Sequence, residues 1–219
     1  MPLRKELIQA CHKIYANGFV AAYDGNLSAR IDDNKLLITP SGKCKGEMEE
    51  KDLLEIDYEG NVLSGDGLVS AEVKMHLLAY QNREDVNAVV HSHPIHASAF
   101  CVVNKELSQP IFPESILSLG KIPLCKYSTI STEEVEESIL PYVGYVWVLL
   151  LQNHGVLAFG KSIKDAYFKV EKLEHFAKIM TVAEILGGAN KLSVDQLKKL
   201  YMVSEEIYGV NVDDKMKFL

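Results

Sequence analysis

Cysteine is scarce and scattered in this chain: Cys11, Cys44, Cys101 and Cys125 form no C-x-x-C pair. That spacing excludes a thiolate-built structural zinc site and a dithiol redox motif. It predicts reduced, structural thiols in a cytoplasmic protein rather than a disulfide framework. No apolar run reaches 18 residues and no signal-peptide core is present, so neither a membrane span nor a secreted context is expected. Positive charge is in deficit as well, with 23 Lys and Arg against 30 Asp and Glu for a formal charge of −7. A nucleic-acid backbone or an anionic membrane needs a positive field. Both drop out as partners, and any anion must be held locally. Internal repeats, low-complexity segments and Pro/Gly/Ser-rich linkers are also missing, so residues 1–219 are expected to form a single domain.

What is present is ordinary globular material, 47% apolar and 24% charged, in a chain long enough to bury a sizeable core. LRKELIQACHKIYANG has apolar residues on one helical face, and Asn17-Gly18 supplies the stop. LSARID, KLLITP, LLEIDY and NVLSG, separated by Asp, Asn and Gly turn signals, read as an antiparallel meander. Helices are predicted from about 71 to 81, across IHASAFCVV, from 163 to 186 between Ser162 and Gly187-Gly188, and over VDQLKKLYMVSEEIYG. S-T-E-E at 131–134 resembles a capping box. The order of elements predicts an α/β domain with a central, mostly antiparallel sheet flanked by helices.

Three histidines stand within six positions in VVHSHPIHA, residues 89–97. On a strand rising about 3.3 Å per residue, His91 and His93 project from one face, close enough to converge on one ion. Pro94 breaks the ladder and starts a helix running away, which leaves His96 out. His12 is read as a surface or packing residue. VWVLLL at 146–151, apolar without alternation, reads as a strand buried on both faces, and it runs into QNHG, so His154 sits in a turn at a strand end. An H-x-H pair also occurs in ordinary strands, but three neutral imidazoles with a fourth position open are the usual catalytic zinc arrangement.

The anion site is sought at backbone turns. In GDGLVSAE, Ser70 is a natural N-cap and Glu72 falls in the first helical turn, where free N–H groups bind phosphate without net basic charge. DGN at 24–26 and TPSGKCKG at 39–46 offer small-residue turns of the same kind, each also readable as a plain turn, with Lys43 and Lys45 either assisting or solvated.

G-N at 25–26, T-P-S-G at 39–42, S-A-E at 70–72, H-S-H-P at 91–94 and N-H-G at 153–155 resemble, in order and spacing, the class II aldolase/epimerase family, which includes adducin-like head domains. The resemblance runs nearly the whole length. It implies the three-layer fold of that family and a zinc-dependent lyase, one Zn2+ per chain, that cleaves a ketose 1-phosphate similar to L-fuculose 1-phosphate into dihydroxyacetone phosphate and an aldehyde. It further implies a homotetramer with sites between neighbouring subunits. His91, His93 and His154 match the zinc ligands. Glu72 matches the acid/base and an occasional metal ligand. Gly25, Asn26, Ser41, Gly42 and Ser70 match the phosphate-binding positions, with Ala71 where the pattern often has a second serine. Tyr208 matches a tyrosine contributed across the subunit boundary. Phe112 stands where a second tyrosine is usual, and Glu114 follows two residues later. This leaves a methylthioribulose-1-phosphate-like dehydratase or a 4-epimerase as enzymatic alternatives, and a non-catalytic adducin-like module as the alternative outside enzymology. A zinc hydrolase would use the same imidazoles, but the sequence has no H-E-x-x-H pattern.

Overall fold

The meander, the two central strands and a short edge strand join into one sheet. In the computed structural model, which describes residues 2–219, eight strands are found: β1 (Asn26–Arg30), β2 (Leu36–Ile38), β3 (Leu54–Ile56), β4 (Val62–Ser64), β5 (Ala88–Ser92), β6 (Leu124–Cys125), β7 (Val148–Leu151) and β8 (Val156–Gly160). Their order is β4-β3-β2-β1-β5-β8-β7-β6. Each pairing is antiparallel except β6 with β7.

Helices cover both faces. On one side α1 (Pro2–Ala16), α3 (Ile95–Val102) and α6 (Ile163–Ile185) press Leu7, Ile14, Ala97, Val170 and Phe176 against Leu27, Val90, Leu150 and Ala158 of the sheet. On the other, α2 (Val73–Asn82) and α5 (Glu134–Val143) press Met75, Tyr80, Ile139 and Val143 against Leu36, Val89, Leu149 and Phe159. The unbroken apolar run of β7 follows from this: every residue of it is buried because both faces are covered. A third, smaller cluster joins α4 (Pro113–Ser118) to α7 (Val194–Tyr208) and the chain's end through Ile116, Leu197, Tyr201, Val212 and Met216. The result is the α/β, mostly antiparallel, helix-flanked architecture expected.

Three local expectations are corrected. The helix predicted from 71 starts at Val73, because Glu72 takes φ −89° and ψ 4° and stands at the N-cap. Ser70 still caps the preceding turn, its hydroxyl accepting the Glu72 N–H at 3.2 Å. The capping box at 131–134 does not form: Ser131 adopts φ +68°, and the Glu134 carboxylate accepts the Thr129 N–H at 2.9 Å instead. The strand across IPLCKY shrinks to Leu124–Cys125 at the sheet edge.

Candidate active site

Strand alternation decides the first two histidines. Val89 and His91 face α2 and α5, whereas Val90 faces the opposite core. His93 lies just beyond β5, where its backbone N–H donates to the Phe19 carbonyl at 2.7 Å. The third histidine arrives through the β7–β8 turn. Asn153 takes φ +57°, a left-handed value that asparagine tolerates better than most residues, and the Leu151 N–H closes the turn on the Gly155 carbonyl at 2.8 Å. β8 pairs with β5 up to Ser92 opposite Val156, which places this turn beside the end of β5.

The three rings meet. Centroids lie 4.9 Å apart for His91 and His93, 4.7 Å for His91 and His154, and 5.1 Å for His93 and His154. One nitrogen from each falls within 4.8 Å of the others. His91 Nδ1–H donates to the Val156 carbonyl at 3.0 Å, which leaves the Nε2 lone pair facing the cluster, 3.1 Å from His93 Nε2. Burial first, then the neighbouring imidazoles His91 and His154, pushes His93 down to about 3, so this ring is neutral. Converging imidazoles with an open side are a donor set that fits a divalent cation.

Glu72 completes the floor. Its Oε1 lies 3.2 Å from His154 Nε2 and 3.4 Å from His91 Nε2, while Oε2 accepts the Asn26 amide N–H at 2.7 Å. Burial alone would raise this carboxyl. The polar groups facing it, the His91 and His154 rings and the Asn26 amide, outweigh burial and hold it well below the usual carboxylate range. Behind Asn26 stands a layer absent from the sequence reading. His76 Nε2 lies 2.6 Å from Asn26 Oδ1, His76 Nδ1 lies 2.6 Å from Ser28 Oγ, and Ser28 Oγ lies 2.8 Å from the Tyr80 hydroxyl. Burial pushes His76 down to about 3. Its one sequence signal is its place four residues after Glu72.

The turns gather around this floor. Gly25, Asn26, Ser41, Gly42, Ser70 and Ala71 line one cleft of about 280 Å³ together with Glu72, His93 and His154. Asp24 of the DGN turn also lines it, as do Tyr23 and Ile130, which sequence reasoning missed. Lys43 and Lys45 serve the loops instead: Lys43 pairs with Asp52 at 2.5 Å, and the buried Lys45 donates to the Lys43 carbonyl at 2.7 Å and the Tyr23 carbonyl at 3.1 Å. Neither lines the cleft.

Other candidates stand elsewhere. His96 Nδ1 lies 2.7 Å from Glu174, whose carboxylate also accepts the His96 and Ala97 N–H groups and so caps α3. His12 bonds the Met48 carbonyl at 2.9 Å. Phe112 stacks on Phe176 with centroids 6.4 Å apart, and Glu114 sits in the first turn of α4. Tyr208, 69% exposed, ends α7. Phe112, Glu114 and Tyr208 do not line the cleft of their own chain.

Comparison with known proteins agrees with this geometry. Residues 5–181 match the family described as class II aldolase and adducin N-terminal domain. A Methanococcus maripaludis protein named L-fuculose phosphate aldolase is 35% identical over 180 residues, covering 82% of this chain and 96% of that one. A Haemophilus influenzae 3-oxo-tetronate 4-phosphate decarboxylase is 33% identical over 181 residues, covering 80% and 86%. Among solved structures, an L-fuculose-1-phosphate aldolase from Thermus thermophilus superposes with a TM-score of 0.73 at 28% identity, covering 87% of this chain and 98% of that one. Among the described residues no helix is long and apolar enough to cross a membrane.

Proposed function

This chain belongs to the class II aldolase and adducin N-terminal domain family and is a lyase, and from that premise we propose that it cleaves a ketose 1-phosphate of the L-fuculose 1-phosphate type into dihydroxyacetone phosphate and an aldehyde. The observation that carries the reading is the cluster of His91, His93 and His154 with Glu72, of which His93, His154 and Glu72 line the same cleft as the Gly25, Ser41 and Ser70 turns.

The three histidines would hold one zinc ion. A divalent cation there supplies Lewis-acid stabilisation of the negative charge that develops when the carbon–carbon bond breaks. Glu72 moves the donor-carbon proton: Oε2 is anchored by Asn26, and Oε1 faces the histidine cluster and the cleft. Backbone N–H groups and hydroxyls at Gly25, Asn26, Ser41, Gly42 and Ser70 bind the phosphate, and Ala71 contributes no hydroxyl. Tyr208 acts from a neighbouring subunit of a homotetramer.

A second reading is favoured by the decarboxylase relative. A 3-oxo acid phosphate that loses carbon dioxide leaves an electron pair beside a carbonyl, as aldol cleavage does, and needs the same stabilisation and the same returned proton. The dehydratase alternative takes Glu114 as proton donor, and that residue, like Tyr208, does not line the cleft of its own chain.

The test offers L-fuculose 1-phosphate and 3-oxo-tetronate 4-phosphate to zinc-loaded protein. Release of dihydroxyacetone phosphate and aldehyde from the first supports aldol cleavage. Carbon dioxide from the second, without turnover of the first, moves the assignment to decarboxylation. Glu72→Gln should retain zinc yet exchange the donor-carbon proton of dihydroxyacetone phosphate with deuterium about 10² to 10⁴ more slowly; exchange at the parent rate would show that another group is the base.

A further inference from the structure

The side-chain amide of Asn26 has a donor end and an acceptor end, and its neighbours leave it one orientation. Ionised Glu72 only accepts hydrogen bonds, so the group 2.7 Å from its Oε2 must be the Asn26 NH2. Asn26 Oδ1 therefore faces His76 Nε2 at 2.6 Å, and that nitrogen must carry a hydrogen. A neutral imidazole has a single N–H, which makes His76 Nδ1 an acceptor. Ser28 Oγ, 2.6 Å away, must donate to it, and the Tyr80 hydroxyl, 2.8 Å from Ser28 Oγ, must donate to the serine.

Every hydrogen in the chain Tyr80–Ser28–His76–Asn26 thus points toward the carboxylate. All four side chains are buried, Ser28 and His76 completely. Local structure delivers this arrangement: Asn26 and Ser28 are i and i+2 on β1, on the face covered by α2, and His76 and Tyr80 are one turn apart on α2.

We propose that His76 is a positioning residue: its Nε2–H pins the Asn26 carbonyl, so that the Asn26 NH2 is always presented to Glu72, and the Ser28 hydroxyl satisfies the Nδ1 of that tautomer. This deepens the reading of Glu72 as proton carrier and rests on it. With the opposite tautomer, or with no donor at that place, the Asn26 amide is free to turn its oxygen toward an ionised carboxylate. Glu72 then loses the anchor on Oε2 that leaves Oε1 facing the cluster.

Two substitutions separate positioning from packing. Glutamine at 76 places an amide N–H where the ring has Nε2, and asparagine at 76 places a carbonyl oxygen where the ring has Nδ1. Each loses one buried hydrogen bond, so a purely structural role lowers both equally. On zinc-loaded protein, His76→Gln should exchange the donor-carbon proton of dihydroxyacetone phosphate within about three-fold of the parent rate. His76→Asn should fall about 10- to 100-fold, the range for losing a residue that orients a reacting group, with bound zinc and KM little changed. Equal loss in the two variants, or an unimpaired His76→Asn, overturns the proposal. Neutron diffraction of the parent gives a readout independent of activity: hydrogen on His76 Nε2 and none on Nδ1 is expected, and the reverse also overturns it. If Glu72→Gln exchanges at the parent rate while the neutron map is as expected, the base is wrongly assigned and the pinned orientation of Asn26 stands.

Discussion

At the scale of single residues, the cluster depends on an atom that is missing. A Cβ at position 155 would stand 2.6 Å from the Ser92 carbonyl oxygen and against the His93 ring. The carbonyl belongs to the last residue of a central strand and has no room to retreat, so the histidine must give way. Gly155→Ala is therefore expected to weaken zinc binding by about ten-fold or more, roughly 1.4 kcal/mol, in competition with a chelator, with phosphate affinity unchanged. Equal zinc affinity in the variant would mean that the turn relaxes without disturbing the cluster. The histidines were legible in the sequence because H-S-H-P and N-H-G each put imidazoles at a strand end, where side-chain direction is constrained. His76 was not, because its one signal, the four-residue spacing from Glu72, is as common for a satisfied core histidine as for a positioning one.

At the scale of elements, α1, α6 and α7 were legible because each has an apolar stripe and punctuated ends; Ser162 accepts the Asp165 N–H at the start of α6, and Ser193, not singled out in the sequence, does the same for the Gln196 N–H at the start of α7. The start of α2 was less so, since the pull of Glu72 toward the histidines is a tertiary contact that local capping rules do not contain. Packing helices on both faces of the sheet also buries titratable groups. α2 buries His76, α1 buries Cys11, α3 buries Cys101 and β6 buries Cys125. Burial pushes His76 down to about 3 and the three thiols up to about 12. A depressed histidine contributes stability that is present above the unfolded value of about 6.5 and lost as pH falls from there toward 3. A raised thiol contributes stability that is present below about 8.5 and lost as pH rises through the folded value. Unfolding free energy from urea titrations is thus expected to be flattest between about pH 6.5 and 8.5, with each buried group adding up to about 1.4 kcal/mol per pH unit to the slope outside it. Cys11→Ala should remove one such increment from the alkaline side. An alkaline limb identical to the parent's would show that this thiol does not stay protonated in the fold.

At the scale of the whole molecule, one chain supplies the histidines, Glu72 and the anion turns, but its own Tyr208 stands 69% exposed at the end of α7 beside an equally exposed Ile207. The tyrosine does not line its own cleft. If it serves the chemistry, it serves a neighbour's cleft, and the proposed homotetramer, four times the 24.4 kDa chain, is what supplies the neighbour. Loss of a proton-transferring hydroxyl by Tyr208→Phe is expected to cost about 10² in turnover, and Glu72→Gln at least as much, so each variant alone is nearly inactive. Equal amounts of the two, assembled at random by co-expression, create sites whose Glu72 comes from a Tyr208→Phe chain and whose tyrosine comes from an adjacent Glu72→Gln chain. One quarter of all sites have that composition, so the mixture should recover about a quarter of the parent turnover, with sedimentation giving the tetramer mass. A tyrosine acting within its own chain yields no intact site in any mixture. Activity that stays at the mean of the two variants would therefore place Tyr208 outside the shared site.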